Sequence, residues 1–381
     1  MMSIRSILVY CRVCNHCCCL QMKAAENDMN EELTQQDSAP LNKPQNPLVW
    51  LLMVFLAWWL WPSKPPPAPE RVLPAGWSHF CHGDQIRGLA LDKNHLWVGG
   101  LFGLKRYDWS DCKETSSDIA TAPVNLVRIE ALLIDPAGNL WVGHEMGLLR
   151  LDPQGIWHNH TSDMPDPKVM ALCWSQQNEL WAGTWRGVAV LSQEGKWRHY
   201  RAADGLPGEL VRAISADSAG GIWIGSYISP AGGLLHWSAE NKVVYTSKNL
   251  LAHANVAALF EDSLGRMWIG TGFFDRGGVT LFPDWKKGDL STIKIMRQAD
   301  GLAGNKGRSF FEDRDNIIWI GSELDGLTRV ARDGSLSVIK ESDGLIGNEI
   351  MCMLQDPDGN LWLGQEKGLC RIASSALTKF R

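Results

Sequence analysis

Seven copies of a W-x-G core limit what this chain can fold into. They are Trp97-Val98-Gly99, Trp141-Val142-Gly143, Trp181-Ala182-Gly183, Trp223-Ile224-Gly225, Trp268-Ile269-Gly270, Trp319-Ile320-Gly321 and Trp362-Leu363-Gly364. Each sits in the same frame: an apolar strand ending near Asp, a turn, the core, a variable loop, then Gly with another apolar strand. The spacing suits a unit of four short strands, whereas a leucine-rich horseshoe needs a shorter period and helical repeats need a 3.6 pattern that is missing. The second unit reads as strands over 128–135, 140–143, 147–152 and 157–161, joined by turns such as D-P-A-G-N. D-P-A-G-N, D-S-L-G-R and D-P-D-G-N have too few acidic positions for a calcium cage and the Asp-x-x-Gly chemistry of a hairpin.

These units predict an all-β, seven-bladed β-propeller of four-stranded antiparallel blades over residues 76–375. One position of the first strand is small in every unit: Gly88, Ala131, Ala171, Ala213, Ala258, Ser309 and Cys352. If that strand is innermost, backbones crowd near the axis and only small side chains fit. Trp77-Ser78-His79-Phe80 resembles an outer strand with no inner strands before it, and the last unit stops after its third. The N-terminal segment is therefore expected to complete the seventh blade and remove an exposed edge. The seven Trp residues read as packing between blades, and Asp204, Asp300 and Asp343 of the D-G-L motifs as turn residues.

Ahead of the repeats lies an uncharged run at 48–61, L-V-W-L-L-M-V-F-L-A-W-W-L-W, with Trp at both ends. It predicts a transmembrane signal anchor, although as a helix it rises only about 21 Å and its flanks must help it span. Residues 1–47 read as a disordered leader, 62–75 as a Pro-rich spacer and 376–381 as a tail. Within the leader, Cys11, Cys14, Cys17, Cys18 and Cys19 cluster around His16, but no second knuckle is nearby to complete a zinc site. Residues 1–21 are expected to lie outside the working protein, with Met22 as an alternative start. A net charge of -5 without a long Lys/Arg run argues against nucleic acid as partner.

The recurring [ND]-x-[LI]-W-[VI]-G-T-x-x-G-[LV] followed by D-G-L resembles the two-component regulator propeller repeat, over about residues 76–375. The resemblance implies the extracytoplasmic sensory part of a bacterial membrane receptor, often one that responds to oligosaccharides. It implies a single-pass inner-membrane protein with its propeller in the periplasm. No kinase, receiver or DNA-binding segment follows the repeats, so any output is expected to pass through a separate signalling protein.

In such a ring the loops between second and third strands share one face, where variable residues meet over the axis. The candidate ligand site there comprises Phe102, His144, Glu145, Trp185, Arg186, Tyr227, Phe273, Phe274, Asp275, Arg276, Glu323, Asp325 and Glu366, suited to stacking on a sugar or gripping a peptide. The expected role is non-enzymatic sensing or binding of a small molecule, oligosaccharide or peptide, without cofactor or metal. A propeller lyase or hydrolase is the alternative, with His144 and Glu145 facing Glu323 and Glu366 across the axis. A scaffold of a membrane complex is a third reading, to be marked by an apolar patch on the side or bottom of the ring. Finally, the proposed closure brings Cys81 and Cys370 near enough for a disulfide in an exported protein, though the register sets Cys370 opposite His79 and Cys81 opposite Gly368.

Overall fold

The structure, a computed structural model, describes residues 72–116, 119, 122–227, 232–273 and 276–377. The anchor segment 48–61, the early cysteine cluster and the spacer as far as Arg71 lie outside them; among the described residues no helix is long and apolar enough to cross a membrane. In chain order the strands are β1 (Trp77–Phe80), β2 (Ile86–Leu91), β3 (His95–Gly100), β4 (Gly103–Asp108), β5 (Ile129–Ile134), β6 (Leu140–His144), β7 (Gly147–Leu151) and β8 (Trp157–Asn159). There follow β9 (Val169–Trp174), β10 (Leu180–Thr184), β11 (Gly187–Leu191), β12 (Trp197–Tyr200), β13 (Val211–Ala216), β14 (Ile222–Ser226), β15 (Leu234–Trp237), β16 (Lys242–Tyr245), β17 (Val256–Glu261) and β18 (Met267–Phe273). The last are β19 (Arg276–Phe282), β20 (Lys294–Met296), β21 (Gly307–Glu312), β22 (Ile318–Ser322), β23 (Leu327–Val330), β24 (Leu336–Ile339), β25 (Ile350–Gln355), β26 (Leu361–Gln365) and β27 (Gly368–Ile372), before a short helix α1 (Ser374–Leu377).

They form seven antiparallel sheets arranged as the blades of a propeller. Blades 2 to 6 take four consecutive strands each, and the seventh has the order β1-β27-β26-β25. Blade 1 departs from the four-strand expectation: among the described residues β2-β3-β4 form a three-stranded sheet, and an isolated bridge from Tyr107 to Glu114 marks its outer edge. Residues 109–128 carry Asp, Ser and Pro where other units have an aromatic strand, and Asp108 instead holds a turn through Ser110.

The small-residue column lies where neighbouring blades touch. Ser309 Oγ donates 2.7 Å to the Ile350 carbonyl of the next blade, and Cys352 Sγ sits 3.7 Å from Ile86 O across the seam between blades 7 and 1. A Cβ on Gly99 would come within 2.4 Å of the Ile129 side chain, so close blade approach requires Gly in the W-x-G core there.

The core Trp residues are buried, and their ring nitrogens explain the Asp that follows most inner strands. Trp97, Trp141, Trp223, Trp268, Trp319 and Trp362 each donate Nε1 to Asp92, Asp135, Asp217, Asp262, Asp313 and Asp356 at 2.7–3.0 Å. The other carboxylate oxygen accepts backbone N–H groups of the turn, as Asp313 does from Asp315 and Ile317. One residue thus closes the hairpin and satisfies a buried indole. Blade 3 has Ser175 at this position, and there the Trp181 Nε1 is a buried donor without a partner. The D-G-L aspartates act locally: Asp204, Asp300 and Asp343 accept the backbone N–H of Arg201, Arg297 and Lys340.

Candidate functional site

The loops joining second to third strands emerge at one end of the ring. At their tips Phe102, Met146, Trp185, Phe273 and Leu324 expose between 43% and 70% of their surface. Five blades therefore raise a large apolar side chain on the same face. Single exposed apolar residues are ordinary, but one at the tip of five such loops, two or three residues after the core Gly, is not explained by chance scatter. Lys168 Nζ lies 4.2 Å from the Trp185 ring centroid and fixes that indole from one side. Phe102 borders a cavity of about 540 Å³ that Pro123, Val124 and Leu126 also line.

Several residues expected on this surface have other duties. His144 ends β6 fully buried, and burial pushes its imidazole below the ordinary value. The Met146 N–H approaches its Nδ1, and its Nε2 is a buried atom without a hydrogen bond. It does not face solvent. Glu366 accepts the backbone N–H of Asn348 and Glu349 and so pins the connection entering blade 7. Asp325 and Ser322 close their own loop. Glu145 pairs with Arg128 at 3.0 Å, and exposed Arg186 lies 3.6 Å from Asp166. Tyr227 accepts a hydrogen bond from Lys306, whose Nζ also meets Glu323 at 2.6 Å. Arg276 is exposed at the start of β19, while Phe274 and Asp275 lie outside the described residues.

The small-residue column has a charged neighbour that the sequence reading passed over. The second residue of each inner strand is, in blade order, Arg87, Glu130, Met170, Arg212, Ala257, Arg308 and Met351. Glu130 accepts two hydrogen bonds from Arg87 Nη1 at 2.7 and 2.9 Å and one from Arg212 at 3.3 Å. Arg212 belongs to blade 4 and Glu130 to blade 2, so the contact passes over blade 3 and shows that these side chains converge toward the axis. Burial opposes the charge on Glu130, but Arg212 and Arg87 outweigh it and hold the carboxyl below its ordinary range. Burial and the Arg308 guanidinium push Arg212 down. On the other side Arg308 Nε lies 2.7 Å from a Glu349 oxygen, and Arg308 Nη1 lies 3.8 Å from Glu323. Burial pushes the Glu349 carboxyl above its ordinary value despite Arg308. A charged residue in a predicted inner strand, recurring in register at Arg87, Glu130, Arg212 and Arg308, was the available signal.

Cys81 carries a free thiol and follows the paired segment, in a left-handed backbone conformation with its Sγ 3.2 Å from Tyr107 Oη. The register is His79 opposite Cys370 and Phe80 opposite Leu369, so the structure holds no bridge from Cys81 to Cys370.

Residues 205–227, 250–273 and 344–367 match the two component regulator propeller family. No curated protein sequence matches the chain. The ring superimposes with TM-score 0.67 and 20% identity on the extracellular domain of a B. thetaiotaomicron protein described as a hybrid two component system, BT3049, covering 81% of this chain and 42% of that one. A second B. thetaiotaomicron extracellular domain, from BT4673, gives 0.64 and 22%, covering 78% and 40%. This chain thus spans about two fifths of the length of both. Virginiamycin B lyase from Staphylococcus aureus gives 0.58 at 12% identity, covering 78% and 98%. At such identities the likeness is one of fold, whereas two of the three matched stretches run from a D-G-L turn, and all three run through a W-x-G core into the following loop. Three of the seven repeats of this ring match the repeat of the two component regulator propeller.

Proposed function

We propose that the chain is a non-enzymatic sensory module, anchored in the membrane through residues 48–61, whose propeller binds a ligand on its loop-rich face and passes the signal to a separate protein. The observation that carries this reading is the crown of apolar tips, Phe102, Met146, Trp185, Phe273 and Leu324, set around charged side chains near the axis. Aromatic tips contribute contact area at a low ordering cost, and charges inside the crown orient what they hold. The extracellular placement of the B. thetaiotaomicron domains supports a periplasmic propeller. The carboxylates considered for acid–base work support binding over catalysis, since Glu145 and Glu323 sit in ion pairs and Glu366 holds backbone amides. The test is to screen the full chain, in detergent, against immobilised oligosaccharides and peptides, with Trp185→Ala/Phe273→Ala as control. Binding that survives the double substitution rejects this face, and extraction of the protein from membranes by carbonate rejects the anchor.

A further inference from the structure

We propose that the charged cluster at the axis is an anion site, in which Arg212 and Arg308 hold a carboxylate, sulfate or phosphate group of a small ligand entering from the loop-rich face. The proposal rests on the reading of that face as the ligand surface for the route of entry, and on the cluster itself for the chemistry.

A guanidinium carries a planar fork of N–H donors and is costly to bury without acceptors. Arg87 meets this requirement with hydrogen bonds to Glu130 and Gln85. Arg212 makes a single hydrogen bond, at 3.3 Å to Glu130, although its side chain keeps only 18% of its exposure. Arg308, at 11%, makes none among the described residues: its Nε is close to Glu349 but out of line, and is a buried donor without a hydrogen bond. The two arginines are therefore held in place by ion pairs, and their remaining guanidinium donors end on no protein acceptor among the described residues. They flank Ala257, the smallest of the seven equivalent side chains, in blade order 4, 5 and 6.

The charge balance points the same way. Arg87 and Arg212 share the single carboxylate of Glu130, an excess of one positive charge, while in a separate set of ion pairs Arg308 and Lys306 balance Glu323 and Glu349. If the cluster served only to staple blades together, the arginine donors would be expected to end on protein acceptors, as those of Arg87 do. An oxyanion between Arg212 and Arg308 would take the donors left over, and paired guanidiniums match the fork of such a group.

The test uses the full chain in detergent, titrated at constant ionic strength with D-glucuronate and with inorganic phosphate, against chloride and uncharged D-glucose, by calorimetry and by thermal unfolding. One of the anions is expected to bind and raise the unfolding temperature while glucose does neither, and the better of the two tells a sugar carboxylate from a phosphate source. Arg212→Met/Arg308→Gln is expected to weaken that anion by about tenfold or more, the worth of a charge-assisted bond. Arg308→Lys, which keeps the charge and loses the fork, is expected to lie between. Glu130→Gln is expected to bind the anion more tightly although it removes two ion pairs, a combination that a purely structural role does not produce. No response of the wild-type chain to either anion, or a response that the arginine variants leave unchanged, overturns the proposal. If anions fail while the Trp185→Ala/Phe273→Ala change still abolishes capture on the oligosaccharide panel, the axial site falls and the loop-face reading stands.

Discussion

Blade 3 offers a gain-of-stability experiment because it lacks one part that six other blades have. Ser175 follows β9 where Asp follows the other inner strands, and the Trp181 ring nitrogen is orphaned as a result. The backbone is already in the required form: Ser175 N–H donates to Glu179 O, Asn178 N–H donates to Ser175 O, and Asn178 takes the left-handed conformation that Gly138 and Gly359 take in their turns. A carboxylate at 175 would accept the turn amides and, six residues on, the indole N–H, as Asp313 does. Leaving a buried donor unsatisfied costs about 1–3 kcal/mol, and a bond to a charged acceptor contributes about 1.5–3 kcal/mol. Desolvation of the carboxylate offsets part of this, so Ser175→Asp is expected to stabilise by about 1–2 kcal/mol. In a domain of this size that is a rise of about 2–4 °C in the unfolding midpoint. The gain should be present at neutral pH and disappear as pH falls through about 4, because a carboxylate stabilised in the fold has its pKa depressed and loses the contribution on protonation. The reciprocal change, Asp313→Ser, is expected to cost about 2–3 kcal/mol by orphaning Trp319. Thermal and urea unfolding of both variants decide the matter. If Ser175→Asp is neutral or destabilising while Asp313→Ser is costly, blade 3 is built around its serine and the argument from equivalence fails; if Asp313→Ser costs little, the Asp–Trp bond does not hold the blades.

The Trp185→Ala/Phe273→Ala variant should lose ligand capture while its unfolding midpoint, by differential scanning fluorimetry, shifts by no more than about 1–2 °C, since exposed truncations cost little. Burial lowers the pKa of His144, His160 and His253, so the unfolded chain takes up protons near pH 6.5 that the fold refuses, and stability should fall as pH drops below that value. His144→Gln should flatten the slope of midpoint against pH between 7.5 and 5.5, and an unchanged slope refutes the assignment. Burial also raises the Cys81 thiol pKa, so at pH 8 it should react with iodoacetamide more slowly than an exposed cysteine, and non-reducing peptide mapping should find it unbridged.

The blade count was legible because Trp and Gly of the core are dictated by packing that repeats in every unit, and alternation places the strands around them. Blade 1 was less so: the stretch after Asp108 keeps the length of a fourth strand without its alternating pattern, and its described residues form an isolated bridge and turns. At the site, Phe102, Trp185 and Phe273 were readable as loop tips, whereas Met146 and Leu324, which share their exposure, carry no chemistry that draws notice. His144 was misplaced by a single residue of boundary, for it belongs to the strand, and at a strand end one step turns a side chain from solvent to the interior. Arg212 and Arg308 were missed because each is unremarkable alone, and only contacts that pass between blades make them a cluster.

The pairing of Trp77 with Ile372 and of Phe80 with Leu369 joins residues separated by nearly the whole ring. Bringing such distant segments together carries a length-dependent closure cost of about 5 kcal/mol, recovered only when β1 docks and Trp77 enters the pocket shared with Ile339, Leu345 and Ile372. During synthesis β1 is made first and must wait, without its partner, until the last hairpin has appeared. The six preceding blades can gather from local contacts as they emerge, but the seventh cannot be finished early by any route. Closing it is therefore expected to be the late, slow event of folding, and the interval before it is when the open edge of β27 is exposed to proteases and to neighbouring chains.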